Sequence, residues 1–323
     1  MIEKPPKGLL QLPLNRPQSR LNLPTVEVRA VVGKRQLEVP HSIGYSMCLG
    51  LGAMPAISAT IITFNEADRI AEAIESLSCC DEVIVVDSGS TDQTREIARA
   101  CGARVIERPW EGYSRQKNFA AEQAHNDWIL SIDADERLSI ELADEIALWK
   151  KRSAGSGFGK TAEPHPTRQL LLSCRAALSQ GETAFSMPRR VFYLGAWIKH
   201  SGWYPDRKIR LYDRRACRWE GDFVHESLKV DGRVGAFKGD LLHFPYRDWN
   251  DHAVRIARYS ELAALAARSR GRRGNIGRLL MVPPLVFIKS FLLHAGFLDG
   301  WRGLAIAYMA ARYAFQKESR ILR

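Results

Sequence analysis

The stretch EVIVVDSGSTD, from Glu82 to Asp92, holds a strand, a polar turn and the entry to a helix in succession. Val83, Ile84, Val85 and Val86 form an unbroken β-branched run, which reads as a strand covered on both faces. Asp87 closes that run, Ser88, Gly89 and Ser90 supply a tight turn, and a helix is expected over Thr91–Ala100. Thr91 or Asp92 would cap it, and Gly102 would end it. The alternation extends both ways. Upstream lie a strand over Ile57–Phe64 and a helix over Glu66–Ser78 with Ile70, Ile74 and Leu77 at helical spacing. Downstream come a strand over Ala103–Ile106, a helix over Ser114–Ala124 and a strand over Trp128–Ile132. Strands alternating with helices predict an α/β fold with a mostly parallel sheet flanked by helices. Such sheets bind ligands beyond the carboxyl ends of their strands. Thr63-Phe64-Asn65-Glu66, the Asp87 turn and Asp133-Ala134-Asp135 each follow a strand, so three polar clusters should form one site.

Asp133 and Asp135 define the expected chemistry. Alternate residues of an extended segment point the same way, so both should face one divalent cation while Ala134 faces the core. Carboxylate and diphosphate oxygens are hard ligands suited to Mg²⁺ or Mn²⁺. Such an ion would neutralise charge on a departing nucleoside diphosphate. A D-x-D triplet alone is common in surface turns; its place after an apolar strand, followed by Glu136, gives it weight. Asp87 has two readings, a ligand to nucleobase or ribose and an Asx-turn within its own loop. The ligand reading is the expectation.

With 323 residues, 46% of them apolar, the chain can bury a full core. Its six cysteines show no C-x-x-C pairing, which fits free thiols better than disulfides or zinc. The net charge of +11 is unevenly spread: residues 250–323 hold 13 Lys/Arg against 4 Asp/Glu, and residues 55–188 hold 14 against 21. The acidic half holds the candidate chemistry, and the basic tail calls for an anionic partner. Residues 1–53 carry no apolar secretory core and read as a poorly ordered extension, with Met54 a candidate natural start. Residues 54–247 are expected to form the catalytic domain, interrupted by a Gly-, Ser- and Pro-rich mobile insert over 151–182. Within it, GSGFGKT over Gly155–Thr161 imitates a phosphate loop without the strand and helix that such a loop needs. Residues 248–323 form a basic amphipathic helical region. Its longest uncharged run, Leu279–Ile288, is split by Pro283-Pro284 and closed by Lys289, too short for a clean span. Helices lying at a membrane interface, with Trp301, Tyr308 and Tyr313 at headgroup level, fit better.

In order and spacing the three clusters resemble family 2 inverting glycosyltransferases of the GT-A fold, a Rossmann-like architecture, over roughly residues 55–150. A narrower resemblance rests on Gly202-Trp203-Tyr204-Pro205-Asp206, Val224-His225-Glu226 and Gly296-Phe297-Leu298-Asp299-Gly300-Trp301. It is to the bacterial subgroup that adds glucose from UDP-glucose to a heptose of the lipopolysaccharide inner core. The resemblance implies that Thr63, Phe64, Asn65, Glu66, Asp87, Ser88 and Gly89 hold the uridine of a UDP-sugar. Asp133 and Asp135 would serve metal and diphosphate, joined by His225, for which a core histidine is the alternative. Inversion by single displacement needs one general base; Glu226 is the first candidate, Asp222 the second and Asp206 the third. Lys199, Arg207, Lys208 and Arg210 would form a basic patch for the diphosphate or a phosphorylated acceptor, or else a solvated face. The family pattern has no counterpart of the 151–182 insert, which leaves the acceptor open. The implied partners are a nucleotide-sugar donor, a lipid-linked saccharide acceptor and the anionic inner face of the cytoplasmic membrane.

Three rivals remain. A sugar nucleotidyltransferase would show a Gly-rich loop after the first strand, where Asn65-Glu66 stands. A nucleic-acid-binding protein would fit the basic charge, but no recognisable module accompanies it. Transfer to polyprenyl phosphate is the alternative within glycosyltransferases.

Overall fold

The computed structural model describes residues 54–153, 181–221 and 226–323. The stretch 1–53, nearly all of the insert with its phosphate-loop imitation, and Asp222 and His225 lie outside them. Strands β1 (Ile57–Thr63), β2 (Glu82–Asp87), β3 (Arg104–Glu107) and β4 (Trp128–Asp133) pair in the order β3-β2-β1-β4, all parallel. Beyond β4 the sheet becomes mixed. It continues through β8 (Asp206–Asp213), β6 (Glu182–Tyr193), β12 (Leu241–His243) and β5 (Glu136–Leu138), with only the β6–β12 pair of these parallel. Two short strands, β7 (Ala196–Trp197) and β11 (Arg233–Ala236), also pair with β6, and β9 (Cys217–Glu220) forms a separate ribbon with β10 (Ser227–Val230). The expected parallel half is present, and an antiparallel extension completes the sheet.

Helices cover both faces. Helices α1 (Ile70–Glu75), α2 (Thr94–Ala100) and α4 (Ile140–Ser153) pack Ile70, Ile74, Ala98, Leu142 and Trp149 against Ile57, Ile61, Val85 and Leu130. On the other face, α3 (Tyr113–Glu122) sets Ala120 and Ala121 against Ile84, Val86 and Ile129. Val85 and Val86 thus enter opposite layers, as adjacent strand residues must. Each fully buried isoleucine of this kind contributes about 2 kcal/mol.

The first helix begins later than its apolar spacing predicts. Asn65 adopts a left-handed conformation, φ 55°. The next amides are drawn to the neighbouring loop: Asn65 donates to Ser90 Oγ (2.9 Å), Glu66 to Thr94 Oγ1 (2.9 Å) and Ala67 to Asp92 Oδ2 (3.2 Å). The second helix is likewise shortened, because the Thr91 amide donates to Asn65 Oδ1 at 2.8 Å instead of opening a helix. Asp92 accepts the Thr94 amide at 3.1 Å, at the helix entry.

The C-terminal region is helical as expected: α5 (Trp249–Ser269), α6 (Ile276–Ile288) and α7 (Trp301–Leu322). The Asp248 and Asn275 side chains cap α5 and α6. One expectation is overturned. Pro283 and Pro284 do not split the apolar run; α6 passes through both and continues as a π-turn over Lys289–Leu293. The result is an unbroken helical stretch, Ile276–Leu293, with a mean hydropathy of 1.7.

Candidate functional site

Parallel register brings the strand ends level. Ile62 of β1 pairs with Val86 and with Asp133, and Thr63 pairs with Asp87. The predicted Thr63–Glu66, Asp87 and Asp133–Asp135 clusters therefore do converge on one edge of the sheet. Phe64 is 56% exposed there.

Asp87 is wholly buried and engaged by its own turn. Its Oδ1 accepts the Gly89 amide at 3.0 Å and the Ser90 amide at 2.9 Å, and its Oδ2 accepts the Ser90 hydroxyl. The Asx-turn is thus formed, and Asp87 shapes the loop. Gly89 holds φ 92°, a conformation costly for a residue with a β-carbon. Ser88 is oriented by Gln116, whose Nε2 donates to Ser88 Oγ at 3.1 Å.

The two aspartates of the D-x-D triplet have different partners. β4 ends at Asp133, residues 134 and 135 form a turn, and β5 begins at Glu136, so strand alternation does not apply between them. Ala134 enters the core as expected. Asp133 meets two cations: Oδ1 lies 3.2 Å from Lys117 Nζ, and Oδ2 accepts from Arg210 at 2.6 Å. Burial pushes the Asp133 carboxyl up, but Arg210 and Lys117 outweigh it and hold it well below the usual carboxylate range. Arg210 also bonds Glu136 Oε1 at 2.6 Å, and Glu136 Oε2 accepts the Asp133 amide at 3.1 Å. Burial lowers the Arg210 guanidinium, yet Asp133 and Glu136 raise it further, so its charge is permanent.

Asp135 turns to another partner. Its Oδ2 lies 3.5 Å from His243 Nε2, and the imidazole Nδ1 is buried without a hydrogen-bond partner. Neighbouring ligands of an octahedral ion at about 2.1 Å lie about 3.0 Å apart, so this pair would have to close by about 0.5 Å to share a Mg²⁺ or Mn²⁺. Among the described residues no group of three or more His, Cys, Asp or Glu could hold a metal. Further ligands would have to come from diphosphate oxygens and water, the usual manner of a substrate-bound Mg²⁺. Among the described residues Asp135 and His243 could hold such an ion, while Asp133 is ion-paired with Lys117 and Arg210.

Three other expected residues are placed as follows. Glu226 Oε1 lies 3.2 Å from Lys117 Nζ, which brings it beside Asp133. Asp206 is paired through both oxygens, Oδ2 with Arg189 (2.6 Å) and Oδ1 with Lys208 (3.1 Å). Burial raises the Asp206 carboxyl, but Arg189 and Lys208 bring it below its ordinary value, which makes it a poor proton acceptor. Arg207 is a correction. It donates to the Ser186 carbonyl (2.9 Å) and the Phe237 carbonyl (2.7 Å), so its guanidinium is engaged by backbone of the sheet. Lys208 pairs with Asp206, Arg210 with Asp133 and Glu136, and Arg207 with backbone carbonyls, so these three members of the predicted basic patch have separate partners.

Sequence reasoning missed Lys117, Arg189 and His243. Lys117 is 2% exposed, with its ammonium 4.5 Å from the centre of the Trp219 ring. Its signal was positional: it falls on the same helical face as Ala120, Ala121 and Ala124, where a lysine is out of place unless paired.

The family model for glycosyl transferase family 2 matches residues 58–159, the segment that supplies β1 to β4 and the carboxylates at their ends. The lipopolysaccharide core biosynthesis glycosyltransferase LpsC of Rhizobium meliloti is 30% identical over 277 residues, 81% of this chain and 93% of its own. This chain belongs to glycosyl transferase family 2. An uncharacterized glycosyltransferase of Rickettsia typhi, RT0209, is 58% identical over 272 residues, 80% of this transferase and 85% of the relative. The low-salt glycan biosynthesis hexosyltransferase Agl6 of Haloferax volcanii is 34% identical over 219 residues, 64% of this chain and 49% of its own. Membership removes the nucleotidyltransferase reading.

Proposed function

We propose that this transferase moves glucose from UDP-glucose, with inversion, onto a saccharide of the lipopolysaccharide core or a related lipid-linked acceptor. The observation that carries the reading is the placement of Glu226 across Lys117 from Asp133, one carboxylate at the donor edge and one beside it. The relatives named for lipopolysaccharide core and glycan biosynthesis support the acceptor class.

In this reading the loop Thr63–Glu66 and the Ser88–Gly89 turn receive the uridine, with Asp87 holding the turn from beneath. Lys117 and Arg210 face the diphosphate with fixed positive charge. Glu226 accepts the acceptor hydroxyl proton as that oxygen attacks the anomeric carbon. The bond from that carbon to the diphosphate oxygen breaks on the opposite side, and its electron pair leaves with UDP. A bound Mg²⁺ or Mn²⁺, held by Asp135 and His243, supplies Lewis-acid stabilisation of the leaving group. Asp222 stays second in line as base, and His225 keeps its reading as a further metal or phosphate contact. Asp206 is set aside because both its oxygens are ion-paired. The basic, apolar C-terminal region supports peripheral attachment to the cytoplasmic face of the inner membrane.

The test is Glu226→Gln, assayed with UDP-glucose and an inner-core oligosaccharide. Turnover should vanish while UDP-glucose binding stays. Retained turnover would place the base elsewhere, and lost binding would make Glu226 a donor ligand.

A further inference from the structure

The motif Gly296-Phe297-Leu298-Asp299-Gly300-Trp301 takes no part in the donor site. Its polar side is a mount. The Asp299 side chain is 6% exposed, and its carboxylate accepts the Lys199 amide (3.1 Å), the His200 amide (3.0 Å) and the Ser201 hydroxyl (3.2 Å), with His200 Nδ1 at 3.1 Å. The Ser201 amide returns a bond to the His294 carbonyl at 2.9 Å. Glycine allows the close crossing beneath: a β-carbon on Gly303 would run into the Gly296 carbonyl. The turn between α6 and α7 is thereby fastened to the 199–201 loop.

The other side of this turn is apolar and open. Phe297 is 50% exposed, Leu298 61%, Trp301 59% and Leu293 77%. Helix α6 extends that surface, since none of its residues is buried, and only 6% of Ile276–Leu293 is covered. A contiguous apolar surface of this kind marks an interaction site. Charge identifies the partner. Arg268, Arg270, Arg273 and Lys289 are exposed and form no ion pair among the described residues. Cations bordering an apolar, tryptophan-bearing face complement the phosphates and acyl chains of an anionic bilayer.

The geometry opposes a span. Eighteen helical residues rise about 27 Å against a hydrocarbon core of about 30 Å. Both ends of α6 are also held to α7: Gly274 abuts Leu322, and Gly296 abuts Gly303. Helix α7 carries Arg302, Arg312, Lys317 and Arg320, which a hydrocarbon core would not admit.

We propose that α6 and the 292–301 turn insert into one leaflet of an anionic membrane, with Asp299 mounting this wedge on the catalytic domain. The inference deepens the membrane attachment proposed above, yet its test needs neither donor nor acceptor, so the two can fail separately. The full chain is floated with vesicles of phosphatidylglycerol and phosphatidylethanolamine, and with phosphatidylcholine alone. Wild type should float with the anionic vesicles only. The triple variant Phe297→Ser, Leu298→Ser, Trp301→Ser should float about tenfold less or worse, with UDP-glucose binding unchanged. Val254→Ser, a 67% exposed position on α5, should float as wild type. Undiminished flotation of the triple variant would overturn the proposal, as would equal flotation on phosphatidylcholine. So would a vesicle-free dimer that the triple variant dissociates, because a second copy would then occupy this face.

Discussion

Lys117 Nζ lies 3.2 Å from Glu226 Oε1 across 109 residues of chain, and the same ammonium lies 3.2 Å from Asp133 Oδ1. One lysine thus bridges two carboxylates, and Arg210 supplies a second positive charge to Asp133. Removing it leaves both beside each other with Arg210, among the described residues, to compensate. Lys117→Met is expected to cost about 3 kcal/mol of stability, read as a lowered midpoint in chemical denaturation. An unchanged midpoint would show that solvent already screens the cluster.

His252 gives the fold a defined pH dependence. Its Nδ1 lies 2.7 Å from the Tyr193 hydroxyl, and its ring stacks on Tyr246 at 4.0 Å. Burial pushes its imidazole down to about 4. The unfolded chain binds that proton near pH 6.5 and the folded chain resists it until about pH 4, so stability falls as pH drops through that window. The loss reaches about 3 kcal/mol at its lower end. Thermal unfolding between pH 7.5 and 4.5 should show a shallower decline for His252→Phe than for wild type, and parallel curves would refute the assignment.

Gly303 tests the crossing of α7 over the 294–300 turn. Gly303→Ala forces the backbones of Gly296 and Gly303 apart and should destabilise the chain by about 2 kcal/mol. Alanine at Gly277, where the approach is limited to the Asn275 side chain at 3.0 Å, should cost less. Equal midpoints for the two variants would contradict the close packing.

The parallel half of the fold was legible because buried parallel strands are continuous apolar runs, as Val83–Val86 shows. The carboxylates that end them could be placed from there. The second half was less so. β6 is long, contains Pro188 and pairs in both senses, and β12 has three residues. His243 was therefore invisible as a partner of Asp135: a strand pairing made 107 residues later brings them together. The alternation argument for the D-x-D triplet does not apply for a local reason, since the chain turns at residues 134 and 135. At Asp87 the plainer feature, an Asx-turn, was legible from the Ser-Gly-Ser sequence that follows it. The prolines of α6 misled because a helix supported along one side by α7 tolerates two lost backbone donors.

The central claim is a nucleotide-sugar site whose metal is held at Asp135 and His243. Titration calorimetry of UDP-glucose into the full chain, with Mn²⁺ and with a chelator, tests it most directly. The account predicts binding that requires Mn²⁺ and weakens about tenfold or more in Asp135→Ala and in His243→Ala, the loss of roughly 1.4 kcal/mol or more. Binding of equal strength in chelator, or unchanged in both variants, would contradict it.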